Sequence, residues 1–142
     1  MADHPVHGTI TGPVVMIGFG SIGTGALPLI LRHIDFDKAD MVIVDPSDAN
    51  RHIADENGIR FVQESITRET YRDVLTPLLS AGGRKGFCVN LSVDVSSVAI
   101  MELCNELDCL YIDTVAEPWL GYYTDSSLTI SQRSNYALRE LV

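Results

Sequence analysis

The sequence predicts an α/β fold, a doubly wound parallel sheet with helices on both faces, and three features carry that prediction. Apolar runs rich in β-branched residues alternate with helix-periodic segments from Val14 to Thr114. The first run passes directly into Gly18-Phe19-Gly20-Ser21-Ile22-Gly23. An acidic residue, Asp45, closes the second run about 20 residues further on. Strand, glycine loop, helix and acid in this order are the signature of a Rossmann-type dinucleotide-binding domain.

Each element has its own warrant. Val14 to Ile17 is wholly apolar, as a strand covered on both faces should be. Ile22, Ala26, Leu29 and Ile30 recur at helical spacing, which predicts a helix from Ser21 to His33 with Pro28 as a possible kink. Met41 to Val44 is the second strand, closed by Asp45-Pro46. A short helix is expected near Asp48 to Asn57, capped by Ser47 or Asp48 and ended by Gly58. Arg60 to Gln63 is a weaker third strand.

Thr67 opens the next helix, whose apolar side carries Tyr71, Val74, Leu75, Leu78 and Leu79. Pro77 disturbs its last turn, and Ala81-Gly82-Gly83 breaks it. Phe87 to Leu91 is the fourth strand. Ser96 to Leu107 is a helix with Val98, Met101 and Cys104 on one face, and Leu110 to Thr114 is the fifth strand. Beyond Val115 the pattern turns irregular, with Glu117-Pro118-Trp119 and Tyr122-Tyr123, until Ser131 caps a last helix running to Val142. The expected organisation is an amino-terminal arm over 1–13, the dinucleotide-binding domain over 14–116, and over 117–142 the start of a connection to a further domain.

Composition narrows the function. The 142 residues suit one domain, and 46% hydrophobic with 20% charged residues argues against disorder. A net charge of −9 repels phosphate backbones, so nucleic acid is not an expected partner. No basic run reads as a membrane anchor, and no apolar run nears the roughly 18 residues that span a bilayer. Cys88, Cys104 and Cys109 lack metal or redox spacing and read as reduced thiols. Met1 to Pro13 is polar, unlike an export signal, so the expected location is the cytoplasm. No metal site is expected.

An acidic domain must hold an anionic dinucleotide by local dipoles. Gly18 permits the turn out of the strand, Gly20 lets a diphosphate approach the backbone, and Gly23 lets the helix pack close. The free N–H groups near Ser21 and Ile22, with the helix dipole, face the phosphates. Asp45 can accept both ribose hydroxyls and would repel the extra phosphate of NADP, so NAD is the expected cofactor.

Ligands in such sheets sit beyond the carboxyl ends of the strands, where strand order reverses. Asn90, Leu91 and Ser92 end the fourth strand and are expected in the cleft. Asp94 reads better as the cap of the following helix. Asp113 and Thr114 end the fifth strand, toward the nicotinamide end. Glu117 stands at this rim, and Trp119 with the tyrosines suggests a packed interface.

Several stretches together closely resemble the beginning of bacterial homospermidine synthases. They are Val15 to Gly23 with Leu27-Pro28-Leu29 and Leu31 to Ile34; Asn90 to Ser97; Tyr111-Ile112-Asp113-Thr114; Glu117-Pro118-Trp119; and Ser134 to Glu140. The resemblance implies a homodimeric transferase related to saccharopine dehydrogenases, with NAD as a recycled redox group. Putrescine is oxidised to an imine, ammonia leaves, a second amine such as putrescine condenses, and the stored hydride reduces the product to homospermidine. It also implies that Glu117 faces the cationic substrate, while Trp119 either borders the same site or packs against the next domain. Members of that family are much longer, so the chain is expected to be a fragment with little activity alone. Two other readings stand beside it: a free-standing NAD-sensing regulatory domain, and a saccharopine dehydrogenase-like oxidoreductase.

Overall fold

The computed structural model describes residues 4–141. Seven strands and five α-helices follow in chain order: β1 (Gly8–Thr9), β2 (Val14–Ile17), α1 (Ser21–His33), β3 (Ile34–Asp35), β4 (Met41–Asp45), α2 (Arg51–Glu56), β5 (Arg60–Gln63), α3 (Tyr71–Leu79), β6 (Phe87–Asn90), α4 (Ser97–Glu106), β7 (Leu110–Asp113) and α5 (Asn135–Arg139). Five strands form one sheet in the order β5-β4-β2-β6-β7, and every pairing is parallel. The chain winds outward from β2 through β4 to β5. It then crosses to the other side of β2 for β6 and β7, so strand order reverses between β2 and β6, as the sequence predicts. β1 and β3 make a separate parallel pair that ties the amino-terminal arm to the end of α1.

The two-residue period of β2 divides its side chains between two apolar layers. Val15 and Ile17 pack with Leu75 and Leu79 of α3 and Ile100, Leu103 and Cys104 of α4. Val14 and Met16 pack with Leu27 of α1, Ala54 of α2 and the Phe19 ring. All four residues of β2 are buried, which explains why the run carries no polar alternation.

Several local expectations are corrected. The buried stripe of α1 is Gly23 and Leu27, with Ile30 and Leu31 packed beside them, whereas Ile22 is 57% and Leu29 54% exposed. Ile22 is apolar because it lines a cleft, not the core. The buried face of α4 is Ser97, Ile100, Leu103 and Cys104; Val98 and Met101 are only half-buried. Its cap is the Ser96 hydroxyl, which accepts the Ala99 amide, and not Asp94, which sits at φ +61° in the preceding turn. Neither Ser47 nor Asp48 caps α2, whose N-cap residue is Asn50. Ser134, not Ser131, caps the short α5, which ends at Arg139. The helix through Pro28 runs unbroken to His33.

Candidate functional site

The carboxyl end of β2 is gripped by both neighbouring strands. The Gly18 amide donates to the Val44 carbonyl at 2.9 Å, and the Leu91 amide donates to the Ile17 carbonyl at 2.7 Å. Gly18 has φ +89°, and a Cβ there would lie 2.7 Å from the Ser92 backbone. Glycine is demanded twice at this position, by conformation and by space. A Cβ on Gly23 would lie 2.5 Å from the Gly18 carbonyl oxygen, so the third glycine sets how closely α1 meets the loop. A Cβ on Gly20 would meet nothing within 4 Å. That glycine opens on space, and no side chain hydrogen-bonds to cap the helix it starts.

This bare helix start faces a cleft of about 1030 Å³. Gly18, Gly20, Ser21, Ile22, Asp45, Leu91, Ser92 and Trp119 all line it, bringing together eight of the residues singled out from the sequence. The Asp45 carboxylate is held by two amides, Phe19 to Oδ2 at 2.6 Å and Ser47 to Oδ1 at 2.8 Å. Gly23 supports the loop from behind. Asn90 is buried beneath the cleft, its amide oxygen accepting the Ser92 hydroxyl at 2.6 Å.

Asp113 and Thr114 do not line the cleft; they line a separate hollow with Ile112, Val115 and Arg139. Asp113 connects to the cleft only indirectly. The Tyr111 hydroxyl donates to Asp113 Oδ2 at 2.8 Å and accepts from the Asn90 amide at 3.2 Å. Burial pushes the Tyr111 hydroxyl far above its ordinary range, and the Asp113 carboxylate adds to the shift, so it remains a proton donor.

Glu117 lines neither hollow, yet its place is well defined. Its amide donates to the Ser97 hydroxyl at 2.9 Å, and its carbonyl accepts the Ser97 amide at 2.8 Å. Burial raises the Glu117 carboxyl above the ordinary glutamate value, and the charge of Asp94 raises it further. Asp94 itself lines the cleft, so the charge beside Glu117 belongs to a cleft residue. The Trp119 ring packs 5.5 Å from that of Tyr71, closing one wall.

Sequence reasoning missed one wall entirely. Residues 64–69, which follow β5, line the cleft and include Arg68. Arg68 is the only Lys or Arg among the described residues that do so. The Thr70 hydroxyl braces this loop, donating to the Ser65 carbonyl at 2.8 Å and accepting the Thr67 amide at 3.0 Å. The available signal was position: the loop leaves the carboxyl end of a third strand on the same side of the sheet. Among the described residues no group of His, Cys, Asp or Glu is arranged to hold a metal ion. Nor is any of their helices long and apolar enough to cross a membrane.

The chain is similar to known proteins in sequence and in fold. The chain is 60% identical over 142 residues to a homospermidine synthase of Blastochloris viridis, covering 100% of this chain and 30% of that protein. It is 62% identical over 136 residues to a homospermidine synthase of Mesorhizobium japonicum, covering 96% and 28%. The chain thus spans less than a third of the length of these curated relatives. A crystal structure of a homospermidine synthase from Legionella pneumophila in complex with NAD superposes with a TM-score of 0.74 at 27% identity, over 92% of this chain and 27% of that one. Residues 14–142 match the family described as saccharopine dehydrogenase NADP binding domain. The chain belongs to this saccharopine dehydrogenase NADP-binding domain family.

Proposed function

We propose that this chain is the NAD-binding part of a homospermidine synthase. The observation that carries the reading is the uncapped start of α1 opening through Gly20 onto a cleft edged by Asp45. A diphosphate fits there because the first-turn amides lack side-chain partners and no Cβ fills the approach. Ser21 and Ile22 would hold the diphosphate, with Gly18 and Gly23 shaping the loop. Asp45 would accept the adenosine ribose hydroxyls through its remaining lone pairs. Its negative charge favours NAD over NADP, despite the NADP in the family's description, and NAD is what the Legionella relative holds. Arg68 supplies positive charge in a cleft also lined by Asp45, Glu64, Glu69 and Asp94.

When bound, the nicotinamide would supply reversible hydride chemistry at an amine-bearing carbon. The chain's own contribution at that end is acidic and ordered. Leu91 and Ser92 form the cleft floor where β2 and β6 part. Asn90, Tyr111 and Asp113 hold Ser92 in place, with Thr114 in the separate hollow beside Asp113. Glu117 and Asp94 offer negative charge to an ammonium group, and Trp119 walls the cleft. The whole protein would join putrescine and a second diamine into homospermidine, releasing ammonia with no net redox change. It would do so as a cytoplasmic homodimer, a location that three free thiols fit.

The test uses the natural full-length protein with putrescine and substoichiometric NAD. Homospermidine is the expected product. An aldehyde formed with an equal amount of NADH would instead mark a dehydrogenase. Nucleotide binding with no reaction of amines would favour a sensor.

A further inference from the structure

We infer that Asn50 is a positioning residue for the diphosphate loop, acting through Phe19, and that Asp45 shares this task besides its hold on the ribose. The inference rests on reading the cleft as a dinucleotide site. Phe19 lies between the two glycines that the loop depends on. Both neighbours leave the backbone free to turn: Gly18 at φ +89° and Gly20 with open space where a side chain would be. Something must therefore fix the two peptide planes flanking Phe19.

Two side chains do so, one from the last residue of β4 and one from the N-cap position of α2. The Phe19 amide donates to Asp45 Oδ2 at 2.6 Å, fixing the peptide between Gly18 and Phe19. The Phe19 carbonyl accepts from Asn50 Nδ2 at 2.9 Å, fixing the peptide between Phe19 and Gly20. The Phe19 ring is buried and packs 6.4 Å from the Phe61 ring, anchoring the residue between the two bonds.

The second bond decides where an amide points. The described residues contain no cis peptide, and in a trans peptide N–H and C=O point in opposite directions. Asn50 is not among the cleft residues, whereas Gly20 is. Holding the Phe19 carbonyl toward Asn50 therefore turns the Gly20 amide away from it. That amide leads directly into the Ser21 and Ile22 amides of α1.

Asn50 also forgoes an ordinary role to do this. It occupies the N-cap position of α2, where asparagine side chains commonly accept an amide of the first turn, yet it makes no capping bond. Its side chain reaches across 31 positions of sequence to Phe19 instead.

The experiment compares Asn50→Ala and Asn50→Asp with wild type in the natural full-length protein. NAD and NADP affinities are measured by titration, and those of ADP and adenosine by competition. Asn50→Asp keeps the size and capping ability of asparagine but removes the donor, so it reports binding even if Asn50→Ala folds poorly. Both variants are expected to bind NAD and ADP about three- to tenfold more weakly, the loss of one hydrogen bond. Adenosine affinity and the NAD-to-NADP preference should stay within about twofold of wild type. Variants that bind ADP as wild type does, or that weaken adenosine by the same factor, overturn the positioning role and leave the cofactor reading standing. A wild-type protein that binds neither NAD nor ADP overturns both.

Discussion

The Phe19 amide lies 2.6 Å from Oδ2 of Asp45, so the acid that ends β4 is bonded to the glycine loop that follows β2. Register explains the meeting. Ile17 pairs with Val44, which sets Asp45, the last residue of β4, at the same sheet edge as the loop that leaves β2 at Gly18. Asp45→Ala should therefore do more than weaken a ribose contact. Removing a hydrogen bond to a charged group costs about 1.5–3 kcal/mol, and the Phe19 amide is left in a half-buried place. Chemical denaturation should show that loss, and titration should show weaker NAD binding with less discrimination against NADP. Asp45→Asn, which keeps an acceptor oxygen, should recover part of the stability. Unchanged NAD affinity in Asp45→Ala would remove the residue from the site.

The three glycines of the loop should separate folding from binding. Gly20 has φ −79° and open space, so Gly20→Ala should change stability by less than about 1 kcal/mol. The new methyl group enters the cleft, and dinucleotide affinity should fall at least about tenfold. Gly18→Ala meets a strained backbone and a 2.7 Å contact with Ser92, and Gly23→Ala meets a 2.5 Å contact with the Gly18 carbonyl. Both should lower the melting temperature by several degrees, because overpacking of this kind costs about 1–3 kcal/mol. A Gly20→Ala protein that binds NAD normally would show that the diphosphate lies elsewhere.

Glu117 should make stability fall as pH rises through the acid range. Burial first, and the Asp94 charge second, raise its folded-state pKa above the ordinary 4.5. The folded protein thus holds this proton more tightly than the unfolded chain. The resulting stabilisation is full below the unfolded value and is lost as pH climbs through the folded one. Glu117→Gln should be at least as stable as wild type at pH 7, with its advantage shrinking toward pH 4. Denaturation midpoints across that range check the sign. If the same substitution abolishes homospermidine formation by the full-length enzyme, the carboxylate is kept for function against its own stability cost.

The Cys88 and Cys109 thiols should be inert in the folded state. Cys88 is fully buried, and its hydrogen bond with Cys104 together with burial pushes its pKa well above the ordinary thiol range. Burial also raises Cys109, which is half-buried. Since the thiolate is the reactive form, a thiol reagent at pH 7 should label these two slowly in native protein and all three rapidly in denaturant. Rapid native labelling of Cys88 would contradict the packing of β6 against α4.

How much of this could be read in one dimension follows from the range of the forces involved. The strands, the glycine loop and the acid closing β4 were readable in Val14–Ile17, Gly18–Gly23 and Asp45. Strand burial, backbone conformation at glycine and helix initiation are set by residues a few positions apart. Helix faces were misassigned by one position in α1 and α4, because a continuous apolar surface does not say which side meets a sheet. Ile22 turned to the cleft and Ile100 to the core only once their neighbours were in place. The partnership of Phe19 with Asp45 and Asn50, the 64–69 wall with Arg68, and Glu117 beside Asp94 all join segments distant along the chain. Only the order and register of the five-stranded sheet bring those segments within hydrogen-bonding or Coulombic reach, and that order is decided by packing the whole domain at once.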